Sequence, residues 1–241
     1  MENKRVFGFL ILLILIALML LSAIPLVRMR QNARLDQCEA RLQILARAMM
    51  NYRDLYSAWP PVYTTDKNGK PLHSWRALLL PFLGEMDLYE KIDFNEPWDS
   101  EKNSLLYERT MIPFCCPCEK NPEKGFCSYS VVMGDNTLFP SPSANSRNAG
   151  SEKKGMSDLI LIVERPDPVL WMDPSRELTL DEIRSSSAFP IGSRNHSGAL
   201  AVFADGSVRR ISPKIDRNLL LEFFQISSSF SNCERQNGDP N

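Results

Sequence analysis

The chain has 241 residues, 44% of them hydrophobic, and its 28 basic and 29 acidic side chains leave a formal net charge of −1. That composition is ordinary for a globular chain of one or two domains. The even balance gives no electrostatic reason to expect nucleic acid, whose binding needs a basic surface, so no nucleic-acid partner is expected. Seventeen prolines against eleven glycines point to many irregular connections.

The first element is apolar. From Val6 to Val27 the run VFGFLILLILIALMLLSAIPLV carries no charge over twenty-two residues. A bilayer core of roughly 30 Å needs about 20 apolar residues in a helix, so the run predicts a membrane anchor over residues 6–27. Lys4 and Arg5, with LLSA near the far end, are features that a signal peptide also has. The run is longer than the roughly 7–15 residues of a signal peptide's apolar region, which favours an uncleaved anchor. Pro25 falls in its last turn, where it can kink the helix without ending it. Arg28, Arg30 and Arg34 follow closely, so a count of flanking charges favours the C-terminal side inside, or gives no orientation.

Next comes a heptad stripe. Leu35, Cys38, Leu42, Leu45, Met49, Tyr52 and Tyr56 recur at spacings of three and four, with Arg34, Glu39, Arg41, Arg47 and Arg53 elsewhere on the helix. The stripe predicts a helix over 28–57 that packs against a core, in preference to a coiled-coil partner, since only about three heptads are present. AWPP at 58–61 ends it.

The remainder, 58–226, reads as a mixed head. Asn68-Gly69 predicts a hairpin. WRALLLPFL and EMDLYEKI read as short helices broken around Pro81 and Gly84. Asp93, Glu96, Asp99 and Glu101 lack the ligand spacing of a calcium loop, and Asp99 or Ser100 is placed to cap a helix from Glu101. CSYSVVMG and SDLILIVE predict buried strands. Residues 137–155 form a polar loop, ALAVFADGSVRRI alternates on both sides of Asp205-Gly206, NLLLEFF is a short helix, and 227–241 is a frayed tail.

The chain has only two histidines, and His196 stands nine residues before Asp205. Asp205-Gly206 is what a tight hairpin turn requires, and His196 at the start of the strand can fix the corner by donating to Asp205 or to a carbonyl. Ser193, Ser197 and Ser207 lie nearby, but none sits in a Gly-x-Ser-x-Gly elbow. Two histidines exclude a His-rich metal centre. His196, Asp205 and Gly206 therefore read as a structural motif; no catalytic, cofactor-binding or metal-ligating residue and no enzymatic activity are expected. Nothing names a small-molecule ligand.

Several stretches carry a resemblance: NAR…QCEARLQILARAMMNYRD, WPPVY…GKPLHSWRALLLPFLGEMDLYEKIDFNEPWDS, IPFCCP, SYSVVMG, LILIVE and HSGALAVFADGSVRRIS. With them the chain resembles the bacterial pseudopilin-like proteins, a family of unknown function whose C-terminal motif is named the prepilin-type processing-associated H-x-D-G domain. The name describes a motif and demonstrates no processing activity. The His196 to Asp205 spacing is one residue shorter than the family's.

The resemblance implies an α+β fold: a transmembrane helix continuing into an amphipathic stalk helix, then a pilin-like head with an antiparallel sheet. It implies a single-pass protein of the bacterial cytoplasmic membrane, with its N-terminus inside and its head in the periplasm or its equivalent. Long domains translocate despite nearby charge, which answers the arginine count. The implied role is a non-catalytic envelope component of a type II secretion or type IV pilus-like apparatus, with other pilin-like subunits as partners. One departure matters. Family members continue from Gly-Phe into Thr-Leu-Ile-Glu, the prepilin peptidase site, whereas Leu10 to Leu13 follow Gly8-Phe9 here. A carboxylate buried in lipid persists only when paired, so Leu13 in its place removes a reason for ordered assembly. The alternative is a membrane-tethered binding module that never polymerises.

The six cysteines are Cys38, Cys115, Cys116, Cys118, Cys127 and Cys233. CCPC with Cys127 lacks the two-knuckle spacing of common zinc sites. In an extracytoplasmic head disulfides come first, ahead of unpaired buried thiols and of metal. The resemblance implies a Cys38–Cys116 bridge from stalk to head; Cys118–Cys127 would make a local second bridge.

Overall fold

In the computed structural model a single helix, α1, runs from Glu2–Tyr56, 55 residues. At 1.5 Å per residue that is a rod about 80 Å long, and Pro25 does not interrupt it. The described residues are 2–109, 112–119, 123–141, 155–194 and 196–226; before residue 33 the side chains described are Phe7, Gly8, Leu15, Ile16, Met19 and Met29. The expected tail at 227–241 and most of the polar loop at 137–155 lie outside them. Among the described residues no helix is long and apolar enough to cross a membrane. The Val6 to Val27 run lies largely outside them at the level of its side chains.

The second half of α1 carries the core. Cys38, Leu42, Leu45 and Met49 are fully buried, joined by Ala46 and Ala48, whose small side chains let the helix approach closely. Leu35 and Tyr52 are half-buried and Tyr56 is exposed, so the buried part of the stripe spans about three turns. The helix stops at Ser57, whose φ of 55° is left-handed, just before Trp59-Pro60.

The hairpin at Asn68-Gly69 forms between β1 (Tyr63–Thr65) and β2 (Pro71–Ser74). Asp66 Oδ1 accepts from the N–H groups of Asn68 and Lys70, each at 2.8 Å, which closes the turn. Ser74 then caps α2 (Trp75–Leu79); a 3₁₀ turn holding Pro81 and α3 (Met86–Tyr89) follow. Ser100 is the N-cap of α4 (Glu101–Tyr107), accepting from Asn103 N. The acidic stretch before α4 is pinned from inside. Buried Asn103 accepts from Asp93 N and donates to the carbonyls of Asp93, Glu96 and Pro97. His73 Nε2 meets Glu96 O at 2.8 Å. Asp93 turns outward to Lys102.

The head is built on one antiparallel sheet ordered β3-β5-β7-β8, from β3 (Phe126–Ser130), β5 (Ile160–Leu170), β7 (Ala199–Phe203) and β8 (Val208–Ile211). A parallel pair of two residues each joins β4 (Val132–Met133) to β6 (Leu178–Thr179). Helices α5 (Leu180–Ser185) and α6 (Arg217–Glu222) complete the described elements. The chain is thus α+β with antiparallel sheets.

Three features depart from the sequence pattern. Strand β7 is buried at every position, where alternation had suggested one wet face. Leu200 and Val202 join the core beneath α1, while Ala199, Ala201 and Phe203 join Ile183, Leu220 and Leu221 of α5 and α6. Covered on both faces, the strand has no side left for solvent. Strand β5 continues past Glu164 through two prolines, because the register shifts between Cys127 and Tyr129 and accommodates residues 165–168 as a bulge. Helix α5 was not anticipated, although Thr179 and Glu182 form a complete capping box.

Beside the sheet, Arg76 of α2 is fully buried against Glu177. Its Nη2 also donates to Tyr129 O at 2.5 Å, and Ser130 Oγ donates to Glu177 Oε2 at 2.7 Å. The pair ties α2 to the sheet edge. Removing one partner strands the other charge, so Glu177→Ala is expected to lower stability by about 3–5 kcal/mol in denaturant titration of the full chain. A loss no larger than that of an exposed pair would show that the charges are hydrated.

Candidate functional site

Four distant segments meet at one buried point. Cys38 stands at the start of the buried seam of α1. Cys116 and Cys118 lie in the turn after the 3₁₀ helix Ile112–Phe114, where Glu119 N donates to Cys116 O. Glu164 projects from β5, and His196 lies in the loop leading to β7. Cys38 Sγ is 3.2 Å from Cys116 Sγ and 3.1 Å from Cys118 Sγ. Cys116 Sγ is 3.9 Å from Glu164 Oε1, and that same oxygen is 3.1 Å from His196 Nε2. The Glu164 side chain is wholly buried and that of His196 nearly so, at 8% exposure. Glu164 Oε2 is held by Leu200 N at 2.7 Å, which fixes the carboxylate against the next strand.

Charge in this pocket is shared. Burial pushes the Glu164 carboxyl above its ordinary range, and the His196 hydrogen bond opposes that. His196 is pushed up to about 10 by its hydrogen bonds to Cys116 and Glu164. Cys116 is driven well down, first by the Cys38 thiol donating to it and, after burial's opposing effect, by His196; Cys38 is driven up as that donor. Cys116, Glu164 and His196 therefore share protons, so the state of each depends on the other two.

A thiolate beside a histidine and a carboxylate is the composition of a nucleophilic triad, but the geometry is wrong for one. A triad uses the two imidazole nitrogens for different partners. Here Nε2 faces Glu164, and buried Nδ1 has no hydrogen-bond partner among the described residues. Cys38 covers the thiolate, and Cys116 is only 3% exposed.

The sequence placed His196 on Asp205 or a carbonyl; in the structure its partner is Glu164. Asp205 faces away into the turn, where its Oδ1 accepts from Ser207 N and Ser207 Oγ and its Oδ2 pairs with Arg209. Gly206 has φ 83°, as a turn of this kind requires, and the β7–β8 hairpin closes around it. The His and Asp of the motif therefore serve separate ends of one strand. Cys38, Cys116 and Cys118 come together as thiols, whereas buried Cys127 faces Tyr129 O at 3.9 Å; Cys233 lies outside the described residues. Sequence reasoning passed over Glu164. The available signal was an acidic residue ending the apolar run LILIV, a place where a charge persists only with a partner.

A family model described as "Protein of unknown function (DUF1559)" matches residues 28–158, which include Cys38, Cys116 and Cys118. No curated protein and no solved structure matches the chain.

The two halves of the motif differ in what they support. Replacing His196 by Ala leaves Glu164 buried without that partner and is expected to cost about 1–3 kcal/mol. Asp205→Ala loses a part-exposed turn contact and is expected to cost under about 1 kcal/mol. Thermal unfolding of the two full-length variants checks this, and equal losses would mean that His196 and Glu164 are not coupled.

Proposed function

We propose, from the premise that the chain belongs to this family of proteins of unknown function, that it is a non-catalytic pseudopilin-like envelope protein anchored in a membrane by residues 6–27. One observation carries the reading. Helix α1 is continuous, but among the described side chains its fully buried seam starts at Cys38. Ahead of the seam Phe7, Leu15, Ile16, Met19 and Met29 are 69%, 57%, 46%, 76% and 68% exposed. Large apolar side chains in water lose about 25 cal/mol for every Å² left uncovered, and a lipid core removes that loss along the whole uncharged run.

The head's position outside the cytoplasmic membrane follows from the resemblance to H-x-D-G pilin-like chains, as does a place in a type II secretion or type IV pilus-like apparatus. A second reading has its own support. Leu13 stands where a polymerising subunit carries a carboxylate, which favours a tethered module that presents its head singly. Both readings treat the Cys–His–Glu cluster as part of the head's interior.

The test is the full-length chain expressed in a bacterium with a cytoplasmic membrane. It is expected in the membrane fraction, resistant to alkaline extraction, with an intact N-terminus by mass spectrometry and a head digested by protease added to spheroplasts. A soluble chain beginning near Ile24 would refute the anchor. A mature chain beginning at Phe9 would refute the unprocessed form and return the protein to the polymerising subunits.

A further inference from the structure

We propose that Cys38, Cys116, Glu164 and His196 form a closed binding site for a single divalent ion of the zinc type, which locks the stalk helix to the head. The proposal is independent of membrane anchoring.

The geometry comes first. One ligand atom from each of the four residues lies within 4.8 Å of every other, and three of the residues are fully buried with the fourth partly so. A tetrahedral zinc ion with bonds of about 2.0–2.3 Å spaces its ligands about 3.3–3.8 Å apart. The Glu164–His196 and Cys116–Glu164 separations of 3.1 and 3.9 Å are near their edges, and the Cys38–Cys116 separation of 3.2 Å is about 0.6 Å short of a sulfur–sulfur edge, a gap that a small turn of one thiol closes.

The donor set then selects the ion. Two thiolates, one imidazole and one carboxylate suit zinc, whereas Cu(I) favours sulfur throughout and calcium or magnesium favours oxygen throughout. With no open position the site is structural rather than catalytic. Leu200 N on Glu164 Oε2 supplies the outer support that orients a ligating carboxylate, leaving Oε1 for the ion.

Ligand chemistry and the alternative bond decide the rest. In a zinc-bound site both cysteines enter as thiolates and Glu164 as a carboxylate, with His196 as the neutral nitrogen ligand. A Cys38–Cys116 disulfide would engage two of the converging groups. It would leave the imidazole, the carboxylate and the Cys118 thiol gathered around a bond that needs none of them.

The experiment uses the full-length chain in detergent, reduced and freed of metal, then titrated with zinc and separately with cobalt(II). The expected result is one ion per chain, with sulfur-to-cobalt charge transfer in the near ultraviolet and the intense visible bands of tetrahedral cobalt. Cys116→Ser and His196→Ala should lose that spectrum while keeping the helical circular dichroism of the parent. Cys118→Ser should keep it, since Cys118 lies outside the ligand set. Failure of the reduced wild-type chain to take up either ion, with Cys38–Cys116 re-forming as a disulfide in air, would overturn the proposal. Loss of the spectrum in Cys118→Ser with retention in Glu164→Gln would overturn the assignment of Glu164.

Discussion

The structure depends on how one narrow face of α1 is covered. From Cys38 to Met49 the helix offers a seam that is too apolar for water, and the sheet offers Leu200 and Val202 of its third strand to meet it. Burial of Leu42, Leu45 and Met49 against each other and the sheet is worth several kcal/mol at about 1.5–3 kcal/mol per side chain. That contact sets the helix angle, and with it the direction in which the first thirty residues leave the head. Ahead of the seam the same helix continues, and the described side chains Phe7, Leu15, Ile16, Met19 and Met29 are exposed.

Covering one face of the sheet with α1 obliges the other face to find its own partner. Helices α5 and α6 supply Ile183, Leu220 and Leu221 for Ala199, Ala201 and Phe203. A strand buried on both faces tolerates few polar side chains, and each one present must be answered. Glu164 on β5 is answered by His196 and Leu200 N, and Glu177 by Arg76, Ser130 and Val131 N. Both carboxylates sit where separate chain segments cross the sheet. Their partners come from α2, from the turn beyond α4 and from the loop before β7, so the buried polar groups fix how loops dock while apolar burial provides the stability.

The Cys–His–Glu cluster lies at the top of the α1 seam, where helix, sheet and two loops are closest. Gly198, two residues after His196, has φ 78°, and a Cβ there would stand 2.5 Å from Ile211 O. The loop can therefore fold flat against β8 and aim the imidazole inward only with glycine at that position. The Asp205-Gly206 turn at the other end of the strand holds the hairpin closed without touching the cluster. Motif residues that look like a pair in the chain are two separate supports for the same strand.

Local chemistry was readable without coordinates. The 3–4 stripe, the Asn68-Gly69 and Asp205-Gly206 turns and the Ser100 cap each state their meaning within a few residues, because hydrogen bonds and periodic burial act at short range. The stripe even marked Cys38, Leu42, Leu45 and Met49 as core before their partners were known. What the sequence could not determine is which distant groups share a pocket. Glu164 and His196 are separated by 32 residues and Cys38 and Cys116 by 78, and no local pattern links them. Only the stacking of α1 on a sheet whose strands arrive from different parts of the chain brought a thiol, a carboxylate and an imidazole together. The same stacking turned an apparent His–Asp pair into a His–Glu pair, since a buried carboxylate takes the nearest available donor in space rather than in sequence.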